Sequence, residues 1–307
     1  FVAQEHSALM PTHYYQEESR ENYATMAQNE VKQVSEEPVS TFSIDVDTGS
    51  YTNIRRMLNQ GHLPPVDAVC IEEMINYFDY AYDVPDSISE PFSVKTEIAQ
   101  APWSKDRLLL QVGLKGFELI EENRPAANLV FLLDVSGSMS NPKKLPLLVE
   151  SMKLLVRKLK PSDTMSIVVY AGAAGVVLEP TQASEKIKIF NALGKLNSGG
   201  STNGGAGIKL AYKLAKQNFI KGGVNRIILA TDGDFNVGTS SQSTLIDLVE
   251  EKAKNDIFLT VVGLGMGNYQ DSLLEKLSNR GNGNYAYIDS LNEANKLFNI
   301  DLEKNLT

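Results

Sequence analysis

One cysteine, Cys70, stands in the 307 residues, which excludes an internal disulfide framework and a zinc site built on cysteines. Histidine is almost as scarce: His6, His13 and His62 all precede the region where an enzyme built on the dominant pattern would need its base. No run of about 18 apolar residues occurs, so no segment reads as a membrane-spanning helix. No stretch has the basic, apolar and small-residue order of a signal peptide. The first residue is Phe1 rather than Met, so the chain is expected to be a processed or excised piece, which leaves room for a removed targeting segment. Positive charge is also in deficit. Lys and Arg number 29 against 38 Asp and Glu, giving a formal net charge of −9 and a pI near 5.0. Such a surface has no electrostatic reason to seek nucleic acid or an anionic membrane. What is present, 42% hydrophobic and 22% charged residues, suits one large or two smaller globular domains.

Three regions follow from composition and periodicity. Residues 1–37 are polar, rich in Glu, Gln and Asn, and read as a tether or loosely docked segment. Residues 38–125 read as a small α+β module. Its expected elements are a strand at 40–46, a helix at 50–59 capped by Ser50 or Thr48, and a helix at 68–78 capped by Asp67. In that second helix Val69, Ile71, Met74, Ile75 and Phe78 share one face and are expected to be buried. Strands at 92–101 and 107–115 follow, and a charged linker ends at Pro125. Trp103 and the tyrosines of 77–82 are expected to pack in the core or between domains.

From 126 to 307 strand and helix alternate, the pattern of a parallel sheet covered on both faces. Strands are expected at 129–133, 164–171, 225–231, 257–263 and 284–288, with a short edge piece at 175–178. Helices are expected at 143–159, 184–196, 207–218, 244–255, 270–278 and 292–302. The apolar runs IVVY, RIILA and FLTVVG lack alternation, as strands buried on both faces should. The fold class is therefore α/β, a Rossmann-like, doubly wound, mostly parallel six-stranded sheet preceded by the α+β module.

The most informative stretch is NLVFLLDVSGSMS at 128–140. A buried strand ends on Asp134, and Asp134, Ser136 and Ser138 then follow at alternate positions, which places their oxygens on one side of an extended chain. Farther on, SGGSTNGG carries Thr202 and LATDGDFN carries Asp232, each between the expected elements. In a sheet of order 3-2-1-4-5-6 ligands bind beyond the carboxyl ends of the strands where the order reverses, between strands one and four. Asp134 and Asp232 end those two strands.

This order, D-x-S-x-S, then a threonine loop, then an aspartate after the fourth strand, resembles the von Willebrand factor A domain and its metal-ion-dependent adhesion site (MIDAS). The resemblance implies a divalent cation, Mg²⁺ or Ca²⁺, held by Asp134, Ser136, Ser138, Thr202 and Asp232. Two carboxylates and three neutral hydroxyls make a hard, all-oxygen set, and Asp134 is expected to act partly through water and hydroxyl hydrogen bonds. An open position would then accept an Asp or Glu carboxylate from a partner protein. The segments STFSIDVDTGSYTNIRRML and PPVDAVCIEEMINYF resemble the module that precedes the A domain in a bacterial envelope family. That likeness implies an extracytoplasmic location, as a periplasmic protein or a cell-surface lipoprotein with its lipid anchor upstream.

Other chemistries fit less well. Asp45 and Asp47 resemble the start of a calcium loop or a phosphohydrolase motif, but Arg56 and Gly49 stand where those patterns need other residues, so turn and cap chemistry is expected there. No G-x-S-x-G elbow surrounds Ser136 or Ser138. GSTNGGAG lacks a phosphate-loop lysine, and the glycines 263, 265 and 267 are spaced G-x-G-x-G. The expected function is thus a non-enzymatic, metal-dependent protein-binding module for adhesion or scaffolding. Its competitors are a metal-dependent phosphoester hydrolase using Asp234 as base and a metal-independent envelope scaffold.

Overall fold

The computed structural model describes residues 21–25, 29–44, 46–118, 123–201, 203–233, 242–266 and 269–298. A six-stranded sheet is its centre. The strands are β3 (Ala127–Asp134), β4 (Thr164–Tyr170), β5 (Ala174–Gln182), β6 (Val224–Thr231), β7 (Phe258–Leu264) and β8 (Tyr285–Ile288). Their order is β5-β4-β3-β6-β7-β8. All neighbours are parallel except β4 and β5, which pair antiparallel with irregular register. Numbered from β3, this is the expected 3-2-1-4-5-6. The edge piece is a nine-residue strand, longer than its apolar core alone indicates.

Every residue of β3 is buried, because the sheet is covered on both sides. Leu129, Phe131 and Leu133 face one core with Leu148, Met152 and Leu155 of α3 (Leu145–Lys158), Ile189 of α4 (Lys186–Leu193) and Ala294 of α8 (Leu291–Lys296). Val130 and Leu132 face the other. There Ile208 and Tyr212 of α5 (Gly204–Gln217), Val249 of α6 (Gln242–Ala253) and Leu277 of α7 (Asp271–Arg280) close the second layer. The alternation of a strand's side chains divides one apolar run between two cores.

Before the sheet come α1 (Gly49–Asn59), α2 (Ile71–Asn76) and an antiparallel hairpin, β1 (Phe92–Gln100) with β2 (Leu108–Gly116). Four expectations are corrected here. Residues 40–44 and 46 are not in a strand. The second helix is two pieces, a 3-10 turn at Val66–Ala68 and the short α2. Its apolar face is not buried: Ile71, Ile75 and Phe78 are exposed, and Glu73 points inward instead. The reason is a helix end. Glu73 Oε2 accepts the Ser50 N–H at 2.7 Å, so a carboxylate meets the positive first turn of α1. Trp103, expected in the core or between domains, is 72% exposed near the hairpin's turn.

The helix α1 lies on β8, the open edge of the sheet. Asp47 Oδ1 accepts the Tyr285 N–H at 2.8 Å, which occupies a donor that an edge strand would otherwise present to solvent. Gly49 lets the helix approach, since a Cβ there would stand 2.5 Å from the Tyr285 ring. Arg55 then spans to α8. It donates to both oxygens of Asp289 at 2.8 and 2.6 Å and to Glu293 at 2.9 Å. Tyr77 also donates to Glu293, and Lys296 caps the Tyr77 carbonyl. Tyr77 thus packs between elements as expected. Asp47 was expected to serve turn and cap chemistry, and its bond goes instead to the distant β8 amide; Asp45 lies outside the described residues.

Candidate metal centre

The carboxyl ends of β3 and β6 place the site. Their register pairs Leu133 with Ala230, so Asp134 lies beside Thr231 and one residue short of Asp232. Asp134 is fully buried. Its Oδ1 accepts the Ser136 N–H at 2.8 Å, while Oδ2 accepts from Thr231 Oγ1 at 3.1 Å and from Tyr170 at 3.3 Å. Burial pushes the Asp134 carboxyl up to about 6, against the lowering effect of its Ser136 hydrogen bonds, and the nearby Asp232 charge adds to the rise. Burial and the Asp134 charge together hold the Tyr170 phenol well above its ordinary value, so it stays a neutral donor.

The chain turns sharply after Asp134. Ser136 is extended and nearly buried, and a 3-10 turn, Gly137–Ser140, follows it. The hydroxyls of Ser136 and Ser138 stand 2.9 Å apart. The glycine-rich loop is strapped to this turn from the other side. The Gly199 N–H donates to the Val135 carbonyl at 2.7 Å, and the Gly137 N–H donates to the Gly200 carbonyl at 3.0 Å. Gly200 adopts φ +85°, a left-handed backbone open to glycine without strain. Thr202 lies outside the described residues, as does Asp234. The structure therefore brings Asp134, Ser136, Ser138 and Asp232 to one rim.

Asp232 is fully buried, and Lys144 reaches it with Nζ 2.8 Å from Oδ2. Neither Lys144 nor the supporting pair Thr231 and Tyr170 was legible as part of the site. Thr231 does adjoin Asp232 in the sequence, but nothing local says its hydroxyl turns to Asp134.

A model of the von Willebrand factor type A domain matches residues 128–300. The chain belongs to that family. A second model, described as von Willebrand factor, matches residues 17–111, the region of α1, α2 and the hairpin. The Escherichia coli K12 protein YfbK is 46% identical over 290 residues, covering 92% of this chain and 50% of YfbK. The Synechocystis protein sll0103 is 30% identical over 199 residues, 64% of this chain and 45% of that protein. The chain thus spans about half the length of these relatives. Among solved structures, a von Willebrand factor type A protein from Catenulispora acidiphila superposes with a TM-score of 0.52 at 17% identity, covering 74% of this chain and 51% of that one. At that identity the likeness speaks for the fold. The von Willebrand factor A resemblance read from Asp134, Ser136, Ser138, Thr202 and Asp232 and the six-stranded architecture both hold.

Proposed function

We propose that this chain is a non-enzymatic protein-binding module whose rim holds a divalent cation on Asp134, Ser136, Ser138, Thr202 and Asp232 and, through it, a carboxylate of a partner protein. The observation that carries the reading is the 2.9 Å spacing of the Ser136 and Ser138 hydroxyls beside two buried aspartates. Adjacent ligands of Mg²⁺, bound at about 2.0–2.1 Å in an octahedron, stand about 2.9 Å apart. Around Ca²⁺, at about 2.4 Å in a pentagonal bipyramid, neighbouring equatorial ligands stand about 2.8 Å apart. The spacing suits a hard divalent cation, Mg²⁺ or Ca²⁺. Both oxygens of Asp134 already accept hydrogen bonds, which supports a role through neighbouring hydroxyls and water. When bound, the ion would supply a positive centre for an acidic side chain. The all-oxygen donor set fits such an ion.

The protein is further proposed to work outside the cytoplasm, in the periplasm or as a lipid-anchored envelope protein. That placement rests on the resemblance of its N-terminal module to those of envelope proteins. Calorimetric titration with Mg²⁺ tests the site. The wild-type chain should bind one ion, and Asp134→Ala should abolish the heat; undiminished binding by the variant would refute the site. Capture of a protein partner from envelope extract should be lost on adding a chelator. A partner retained in chelator would favour a metal-independent scaffold.

A further inference from the structure

Lys144 is built into the rim. Its N–H donates to the Asn141 carbonyl at 2.9 Å, and its carbonyl accepts the Leu148 N–H at 2.9 Å, so the backbone is held on both sides. Its methylenes lie against Gly265, where a Cβ would stand 2.2 Å from Cε, 2.8 Å from Cγ and 2.9 Å from Cδ. Gly265 sits at φ +79°, and the Tyr287 hydroxyl donates to its carbonyl. A glycine furrow, fixed from β8, thus guides the stem to an ammonium 2.8 Å from Asp232 Oδ2. The lysine side chain is 9% exposed and the aspartate is not exposed at all. A long side chain with its stem packed this way loses rotamer freedom. The position of the charge is therefore part of the fold.

Charge arithmetic gives this position a consequence, which rests on the proposed metal site. Asp134 and Asp232 alone would neutralise a divalent cation, and the hydroxyls add no charge. Among the described residues, Lys144 then leaves the loaded rim with one uncompensated positive charge.

We propose that Lys144 is the specificity-determining residue of this rim: its ammonium weakens the cation's own binding and gives the loaded rim a net charge that one partner carboxylate neutralises. The partner carboxylate of the proposed function is accordingly held by this charge as well as by the cation, and the loaded rim discriminates against neutral amides of the same shape.

The test compares the wild-type chain with Lys144→Met, Lys144→Gln, Lys144→Arg and Asp134→Ala. Binding of Mg²⁺ is read by calorimetry, and binding of acetate, with acetamide as neutral control, by water-proton relaxation of the Mn²⁺-loaded chain. A unit charge within about 4–6 Å commonly shifts an ionisation by 1–3 pKa units. Lys144→Met is therefore expected to bind Mg²⁺ about tenfold tighter and to lose about tenfold in acetate affinity, with acetamide unchanged. Lys144→Arg should resemble the wild type. Lys144→Gln repeats the neutral test with a shorter stem if the methionine variant melts below the assay temperature. Unchanged or weaker Mg²⁺ binding in the neutral variants, or unchanged acetate binding, overturns the assignment. The two failures are separable. If Asp134→Ala still binds Mg²⁺, the metal site itself is wrong; if it does not, and the Lys144 variants match the wild type, only the role of Lys144 falls.

Discussion

Replacing Arg55 by Met removes the guanidinium that joins α1 to the end of the sheet. In the wild type it bridges Asp289 and Glu293, whose side chains are 10% and 8% exposed. Three charge-assisted hydrogen bonds at 2.6–2.9 Å vanish. Two carboxylates are left side by side, Asp289 with the Ser290 hydroxyl and Glu293 with the Tyr77 hydroxyl. The pair draws Arg55 well above its ordinary range, the Asp289 hydrogen bond contributing most, so the charged form is held more firmly folded than unfolded. Breaking a buried pair from one side costs about 3–5 kcal/mol. Arg55 is itself 30% exposed, and water screens that part of the interaction, so the loss should be about 2–3 kcal/mol. In a chain this size that is about 3–5 °C of melting temperature. Urea denaturation at neutral pH measures it as a lower midpoint with an unchanged slope. The triple variant with Asp289→Asn and Glu293→Gln should recover at least about 1 kcal/mol, because the stranded charges are gone. A loss under about 0.5 kcal/mol in Arg55→Met, or no recovery in the triple variant, would refute this account of the α1–α8 connection.

Two other perturbations follow from buried carboxylates. Asp163 is fully buried and accepts four hydrogen bonds: two from Arg124, at 3.1 and 2.6 Å, and one each from the Ala127 and Lys160 amides. Asp163→Ala should cost about 3–5 kcal/mol by urea denaturation, since it strands a buried guanidinium; a loss under about 1 kcal/mol would contradict this. Asp271, partly buried beneath the Tyr285 hydroxyl that donates to it, has its carboxyl pushed up to about 6 from 3.8 by burial. A raised folded-state pKa favours the protonated folded form, so the stabilisation is complete below pH 4 and is lost as pH rises through 6. The stability of the wild type minus that of Asp271→Asn should therefore fall by about 2 kcal/mol between pH 4 and pH 7, a flat difference being the contrary result. Asp134 shifts in the same direction, but it is present in both proteins and cancels.

Much of the fold was legible because burial leaves a direct mark on sequence. The unalternating runs of β4, β6 and β7 carry that mark, and the strand–helix alternation dictates parallel pairing. Topology then places residue 134 and residue 232 at adjacent strand ends. The helix at 68–78 failed for the converse reason: a periodic apolar face shows what a helix could bury, and here Glu73 was needed at the start of α1. Trp103 failed likewise, since an aromatic ring states no destination of its own.

By itself, then, the sequence determined the class of the sheet, its strand order, and an oxygen-rich rim around Asp134, Ser136, Ser138 and Asp232. The tertiary structure alone decided which charges meet. Lys144 reaches Asp232 across 88 positions, and Arg55 reaches Asp289 across 234. Periodicity reports how one element faces its surroundings. A pairing between two elements depends on their relative placement to within an ångström, and that is set by the packing of the whole core.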